Sequence, residues 1–465
     1  MLALLGLLFA VSSGIEGGMD SYNHFLIAKH SWQNPELFLD YWGKPIYNIV
    51  ASPFTQFGLI GSFTLNTLCL VLCALLAYKI ALILKFKWAL LVYIFALLSP
   101  IFLDNTISSL TEPLCALLVV YTLYLLLKDK YIYGALVAGF LPFARSEGFI
   151  ILFVVFVYLV VKRQKLTTFL YLAIGTIVFN TLGWIITGNP FWVIAENPYI
   201  NFELSGRNVC GNGGIGHYFR AGHYTFGLVI SILMTGSLTL YIYRIIKNDK
   251  NIDFKFGVVL LSFILYFASH AFIWWQGMMG SCGYERVMTA IAPLAAVIAV
   301  YFIEFLFQEL STRWGKKSTF IKKSIVFVLI LNAFYVPFRY YAYKYPLTLS
   351  QEQEQYVKLN KWYNSSGLEG RTKLYLYPYF SIIANISPYN QAEHLELWSS
   401  SLQWTKKGDI LIWDSHFGPN ESNLPLEDLK QNQNWNLIKS IIPSIPIKTI
   451  KDANFEIHVF EKIAE

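Results

Sequence analysis

Apolar windows of roughly 15 to 25 residues recur along most of the chain, separated by short polar loops. A helix needs about 20 apolar residues to cross the hydrocarbon of a bilayer, so these windows predict about eleven transmembrane helices. They centre near residues 8, 70, 96, 119, 139, 155, 176, 235, 266, 297 and 331, the fourth to sixth being short. Near Tyr345 the pattern changes, and short apolar runs become spaced by turn residues. Residues 351–362 read as a helix, 373–377 and 409–413 as buried strands, and 455–460 as a half-exposed strand. The prediction is an α-helical polytopic membrane protein over residues 1–344, followed by a small soluble α/β domain over 345–465.

Composition agrees with this reading. With 55% hydrophobic residues, 14% charged and a mean hydropathy of +0.47, the bulk of the chain is no soluble enzyme. Lys and Arg stay on the cytoplasmic side of membrane proteins. One alternating set of loops carries sixteen of them, from Lys85 to Lys323; the other carries only Lys29, Lys44, Arg145, Arg207, Arg220 and Arg286. The first set is therefore placed inside. The second, with the loops 16–57 and 188–225 and the C-terminal domain, is placed outside a cytoplasmic (inner) membrane. The net charge of +7 follows from this bias and gives no reason to expect nucleic acid. Residues 2–10 and the small residues after them look like a signal peptide, but no Lys or Arg precedes them, and they are read as the first span. Lys79 and Glu304 are the main ionisable residues within spans, both near enough to cytoplasmic ends to snorkel.

The chemistry gathers in the outside loops. Glu16-Gly17-Gly18-Met19-Asp20 follows the first span, and Trp42-Gly43-Lys44-Pro45 precedes the next. An acid and a lysine at a membrane rim suggest phosphate-linked chemistry. Tyr22, Phe25, Leu26 and Lys29 follow Asp20 at helical spacing, which predicts a short amphipathic helix along the interface with Asp20 toward water. Asp20 is then either a reactive acid or an N-cap. Asp104 is a second acid or a turn residue. Glu112, Arg145 and Glu147 stand at helix ends, where an acid meets the macrodipole or pairs with an arginine at the rim. Between Cys210 and Tyr218, four glycines supply bare backbone amides, and His217, Arg220 and His223 follow at three-residue intervals. That arrangement suits a phosphate; a flexible loop with stray histidines is the alternative. A zinc site from Cys210, His217 and His223 lacks a fourth ligand. A Cys210–Cys282 disulfide is open in an oxidising compartment, though the small residues around both favour free thiols. Arg286 either touches a phosphate or snorkels to lipid headgroups.

The order of an acidic residue, an aromatic helix, Trp32, Pro35, Lys44-Pro45-Ile46-Tyr47 and then a span resembles the first periplasmic loop of GT-C glycosyltransferases. This superfamily includes protein O-mannosyltransferases and the lipid A aminoarabinose transferase. Leu110-Thr111-Glu112-Pro113-Leu114, Arg145-Ser146-Glu147-Gly148 and Gly188-Asn189-Pro190-Phe191 are similar to its later punctuation, as is Arg286 ahead of an apolar span containing Pro293. Many relatives carry Asp-Glu where this chain has Asp20-Ser21. The resemblance implies Asp20 as catalytic base, with Asp104 and Glu112 as further acids toward acceptor or metal. It implies Lys44 and Arg286 at a donor phosphate, where the spacing of His217, Arg220 and His223 would add them, with Tyr22, His24, Arg145 and Glu147 as supporting residues.

The implied reaction is inverting transfer of a sugar, a mannose-like hexose or a pentose, from a polyprenyl-phosphate donor to a hydroxyl of a glycan, lipid or protein. A divalent cation, magnesium or manganese, near Asp20 and Asp104 stays open. The alternatives are a polysaccharide polymerase or ligase, whose main loop would come late in the chain, and a lipid or solute transporter, which would need polar groups at the membrane midplane.

Overall fold

The structure, a computed structural model, describes residues 11–199, 210–249, 252–341 and 344–464. The first predicted span, around residue 8, and Arg207 lie outside the described residues. The chain divides into two units: Pro35–Tyr345, and Pro346–Glu465 together with the described residues up to Asn34.

In Pro35–Tyr345, helices stand at the other ten predicted centres. Among the described residues, five stretches are long and apolar enough to cross a membrane: Leu59–Ile83, Leu166–Thr187, His217–Ile246, Phe254–Gln276 and Glu285–Tyr340. The last contains two helices, Ala292–Trp314 and Ser318–Tyr340. Glu112–Leu127, Tyr131–Ala144 and Gly148–Val161 have only 16, 14 and 14 residues. The count of about eleven spans is therefore not supported. Glu112, Arg145 and Glu147 stand where these apolar windows break off.

Glu112–Leu127 packs between Leu59–Ile83 and Tyr131–Ala144 and buries Val119, Val120, Leu123 and Leu126. Helices approach closely where small residues meet. A methyl group on Gly175 would collide with the carbonyl of Gly139, so neither helix could come as near with a larger residue there. Ile185, Phe320 and Phe338 are exposed, as apolar side chains facing lipid are. Glu304 is half-buried and reaches the loop that carries Lys85 and Lys87. Its carboxylate accepts the Trp88 N–H at 2.5 Å, at the start of the Ala89–Leu97 helix.

The other unit holds a five-stranded sheet in the order β2-β1-β3-β5-β4, with β1 Lys373–Tyr375, β2 His394–Glu396, β3 Ile410–Asp414, β4 Trp435–Ile441 and β5 Ile457–Lys462. The first three strands are parallel; β5 runs antiparallel between β3 and β4, pairing Leu411 with Phe460. The prediction of a half-exposed last strand is corrected here, because a central strand is covered on both faces and Ile457, His458, Val459 and Phe460 are all buried. Leu374, Leu411, Trp413, Trp435 and Phe460 form its core. The Gln351–Tyr363 helix opens with a capping box, Ser350 and Gln353 each bonding the other's backbone N–H.

This unit also contains the Gly18–His30 helix. An amphipathic helix lying along an interface keeps one polar, wet face. Here Ser21, Tyr22, His24, Phe25, Leu26, Ile27 and Ala28 are all buried, which overturns that expectation. Gly17, with φ 83°, takes the N-cap position, so Asp20 is no cap; it sits in the first turn, where the helix dipole favours an acid.

Candidate active site

The segment before Lys44 is held rigidly. Leu39 and Tyr41 pack with Phe143, Phe179 and Trp192. The Asn48 side chain donates to the carbonyls of Leu37, at 2.9 Å, and Asp40, at 3.2 Å. Asp40 in turn accepts the Gly43 N–H at 2.6 Å, closing a turn that leads into the Pro45–Thr55 helix. At its end Lys44 adopts φ 69°, a left-handed backbone that a side chain rarely takes and that functional sites often hold.

The Lys44 side chain is buried, at 3% exposure. Its Nζ donates to the Tyr41 carbonyl at 3.2 Å and the Ser146 hydroxyl at 3.3 Å, and lies 4.7 Å from the centre of the Tyr199 ring and 5.5 Å from that of Tyr41. Among the described residues no carboxylate oxygen stands within ion-pair distance of it. Burial pushes its pKa down to about 8, against the pull of Glu147.

Beside it is a charge network made by helix ends. Glu112 opens one helix, Arg145 closes the next, and Glu147 precedes a third. Arg145 reaches Glu112 at 2.8 Å, the Thr111 hydroxyl at 2.9 Å, and Glu147 through two bonds of 2.8 and 3.2 Å. Arg286 Nε lies 3.5 Å from the same Glu112 oxygen, and His270 Nε2 lies 3.7 Å from Glu147. The ion pair expected between Arg145 and Glu147 is present, and it is part of this larger network. Burial alone would raise the Glu147 carboxyl; Arg145 and His270 outweigh it and bring it down to about 2. Glu147, Asp40 and Glu112 all favour the Lys44 ammonium from a distance, without a carboxylate oxygen at ion-pair distance among the described residues. A buried ammonium among fixed dipoles is suited to an anion.

His217, Arg220 and His223 do not join this network and do not form one cradle. His217 Nε2 meets the Gly283 carbonyl at 2.7 Å and stands 3.5 Å from Glu285, which also accepts the Tyr224 hydroxyl at 2.7 Å. His223 bonds the Arg220 carbonyl at 2.7 Å, and both side chains are exposed. The Gly213 amide donates to Trp274 O, so one of the glycine-loop amides is already engaged. Cys210 and Cys282 form a disulfide, which corrects the expectation of free thiols and fastens this loop beside Glu285 and Arg286. Chain proximity produced the pair, since the turns carrying both cysteines bring their Cα atoms to 5.1 Å.

Asp104 lies elsewhere in the same unit, buried at the end of a short helix, with Lys344 Nζ at 3.3 Å and the Tyr345 hydroxyl at 3.2 Å. Asp20, Tyr22 and His24 belong to the other unit. There Asp20 is half-buried, His24 is buried, and Tyr22 is fully buried against Tyr379, 5.3 Å between ring centres. Among the described residues no three His, Cys, Asp or Glu side chains gather where they could hold a metal ion.

Sequence reasoning missed His270, Glu285, Tyr199 and Lys344. His270 had a signal: it is an ionisable residue well inside an apolar run, where such residues are costly and mark function. The others are ordinary loop residues until the fold assigns their neighbours.

No protein-family model matches the sequence, and no curated protein matches it. Among solved structures, two of ArnT from Cupriavidus metallidurans, one in the apo state and one bound to undecaprenyl phosphate, match with a TM-score of 0.54 and 10% identity, over 98% of this chain. The matches cover 96% and 97% of those chains. Over nearly its whole length the chain therefore has the fold of these two ArnT structures.

Proposed function

We propose that this protein is a membrane glycosyltransferase that moves a sugar from a polyprenyl-phosphate donor to an acceptor hydroxyl at the outer face of the cytoplasmic membrane. The observation that carries the reading is Lys44, a buried ammonium with no carboxylate at ion-pair distance among the described residues, beside the Glu112–Arg145–Glu147 charge network. A phosphate would supply a counter-charge at bonding distance. The likeness to an ArnT bound to undecaprenyl phosphate favours a lipid-linked phosphate over a free one. The Cys210–Cys282 disulfide favours an outside position for its loops, since disulfides persist in oxidising compartments.

In this mechanism Asp20 takes the proton of the acceptor hydroxyl as its oxygen attacks the anomeric carbon. The bond to the phosphate oxygen breaks, and the configuration inverts. Well-placed base catalysis contributes roughly 10²- to 10⁴-fold. Lys44 stabilises the charge that develops on the departing polyprenyl phosphate, and Arg286, which neighbours Glu112, adds to it. Arg145 holds Glu112 and Glu147 in place. The sugar is a hexose or pentose, and the acceptor a glycan, lipid or protein.

The test is transfer from a panel of radiolabelled polyprenyl-phosphate sugars by purified protein in detergent, comparing wild type with Asp20→Asn and Lys44→Met. The reading requires transfer from at least one donor, abolished by Asp20→Asn while donor still binds, and weakened donor binding in Lys44→Met. No transfer from any donor would overturn it.

A further inference from the structure

We infer that the C-terminal sheet domain is a clamp for the helix that carries Asp20, and that Gln353 is its positioning residue. The inference rests on the reading of Asp20 as the base. Every contact it uses lies within one unit of the chain.

The Gly18–His30 helix is held along its whole length. Ahead of it, the Ser13 and Gly14 N–H groups both donate to the Leu347 carbonyl, at 2.9 and 3.0 Å, and Ser12 Oγ accepts the Leu347 N–H at 3.1 Å. A side chain on Gly14 would strike the Thr348 carbonyl, so this approach needs glycine. At its far end the His30 ring stands 5.9 Å from that of Tyr389. Between these, Tyr22 is fully buried, and its hydroxyl accepts a hydrogen bond from Gln353 Nε2 at 2.8 Å.

Gln353 uses both ends of its amide. Oε1 accepts the Ser350 N–H at 2.8 Å and so completes the capping box of the Gln351–Tyr363 helix, which leaves Nε2 aimed at Tyr22. The cap fixes the glutamine rotamer, and the glutamine fixes Tyr22. Asp20 precedes Tyr22 by two residues, about 200° around a helix axis. Tyr22 is therefore gripped on one side of the helix while Asp20 projects from the other, and turning the helix about its axis would swing the carboxylate away from its target. Errors of about 1 Å in the placement of a reacting group can cost 10²-fold in rate.

The experiment measures transfer kinetics and thermal stability of the full-length protein in detergent for Gln353→Met, Tyr22→Phe, the double variant and Gln353→Glu, with Asp20→Asn alongside. Gln353→Met and Tyr22→Phe should each lower kcat about tenfold or more with the donor KM within about twofold. The double variant should be no worse than the poorer single. Gln353→Glu should restore much of the loss, because one carboxylate oxygen accepts the Ser350 N–H and the other the Tyr22 O–H. Unchanged kcat in Gln353→Met, with Asp20→Asn inactive, overturns the clamp and leaves the base intact. An active Asp20→Asn overturns the base reading and the clamp with it. A loss of kcat that Gln353→Glu does not restore, and that follows a fall in melting temperature, makes Gln353 a structural cap and also overturns the proposal.

Discussion

Lys44 has been taken out of water, bent into a left-handed backbone and given a carbonyl, a hydroxyl and two aromatic rings as neighbours. Its folded pKa of about 8 lies below its ordinary value, so the ammonium is fully present under that pH and is lost as pH rises through it. Donor binding should accordingly weaken above about pH 8, and Lys44→Met should both flatten that dependence and weaken binding about 10- to 100-fold, as for loss of a charged hydrogen bond of ~1.5–3 kcal/mol. Calorimetric titration with a donor across pH checks this. Arg145 acts differently, because it holds two buried carboxylates at once. Arg145→Met leaves them facing each other and should destabilise the protein by about 3–5 kcal/mol. The Glu147 carboxyl is held below its ordinary value, so the stability it contributes is present above that value and lost as pH falls through about 2. Without Arg145 its protonation becomes easier, and the melting-temperature deficit of Arg145→Met should shrink from about pH 8 to about pH 5.

At the level of elements, the candidate site is assembled from helix termini. One short helix begins at Glu112, one closes at Arg145 and a third begins after Glu147, and one 3-10 helix, Glu285–Ile291, points Glu285 to His217 and Arg286 to Glu112. The disulfide fastens the glycine loop just ahead of that helix and closes a separation of 72 residues. Breaking it by Cys282→Ser should lower stability by up to about 4 kcal/mol in the chain-entropy view. The freed Cys210 should then react with a membrane-impermeant maleimide from the outside, whereas wild type should react only after reduction. Cys69, Cys73 and Cys115 are buried and do not compete in that assay. Labelling of untreated wild type would show that the disulfide does not form.

For the whole molecule, the division into two units assigns the residues up to Asn34 to the same body as the C-terminal sheet. The first part of the first loop, up to Asn34, and the last domain, far apart in the sequence, are one structural object. The charge bias of the loops predicts that this object lies outside. Fusing alkaline phosphatase after Glu465 should give an active reporter, and fusing a fluorescent protein that matures only in the cytoplasm should give a dark one. The reverse pattern would invert the topology and remove the outer-face chemistry proposed for Asp20.

The sequence by itself determined a great deal: the apolar windows, the change of pattern near Tyr345, the Gln351–Tyr363 helix and strands β1 and β3, because periodicity and turn residues are local properties. The ordered motifs around Lys44, Glu112 and Arg145 also sufficed to indicate the fold. Tertiary structure alone decided which charges meet. Arg145 could pair with Glu147 two residues away, as any sequence reader would guess, but its bond to Glu112 spans 33 positions and depends on how three helix ends pack. The same holds for the Gly18–His30 helix, whose spacing looked amphipathic although Ser21, His24 and Ala28 are buried along with Tyr22 and Phe25, and for His217, which spacing grouped with Arg220 and His223 but which the fold sets beside Glu285. Local pattern records which faces are apolar. It does not record what covers them, because burial and ion pairing are set by neighbours far apart along the chain.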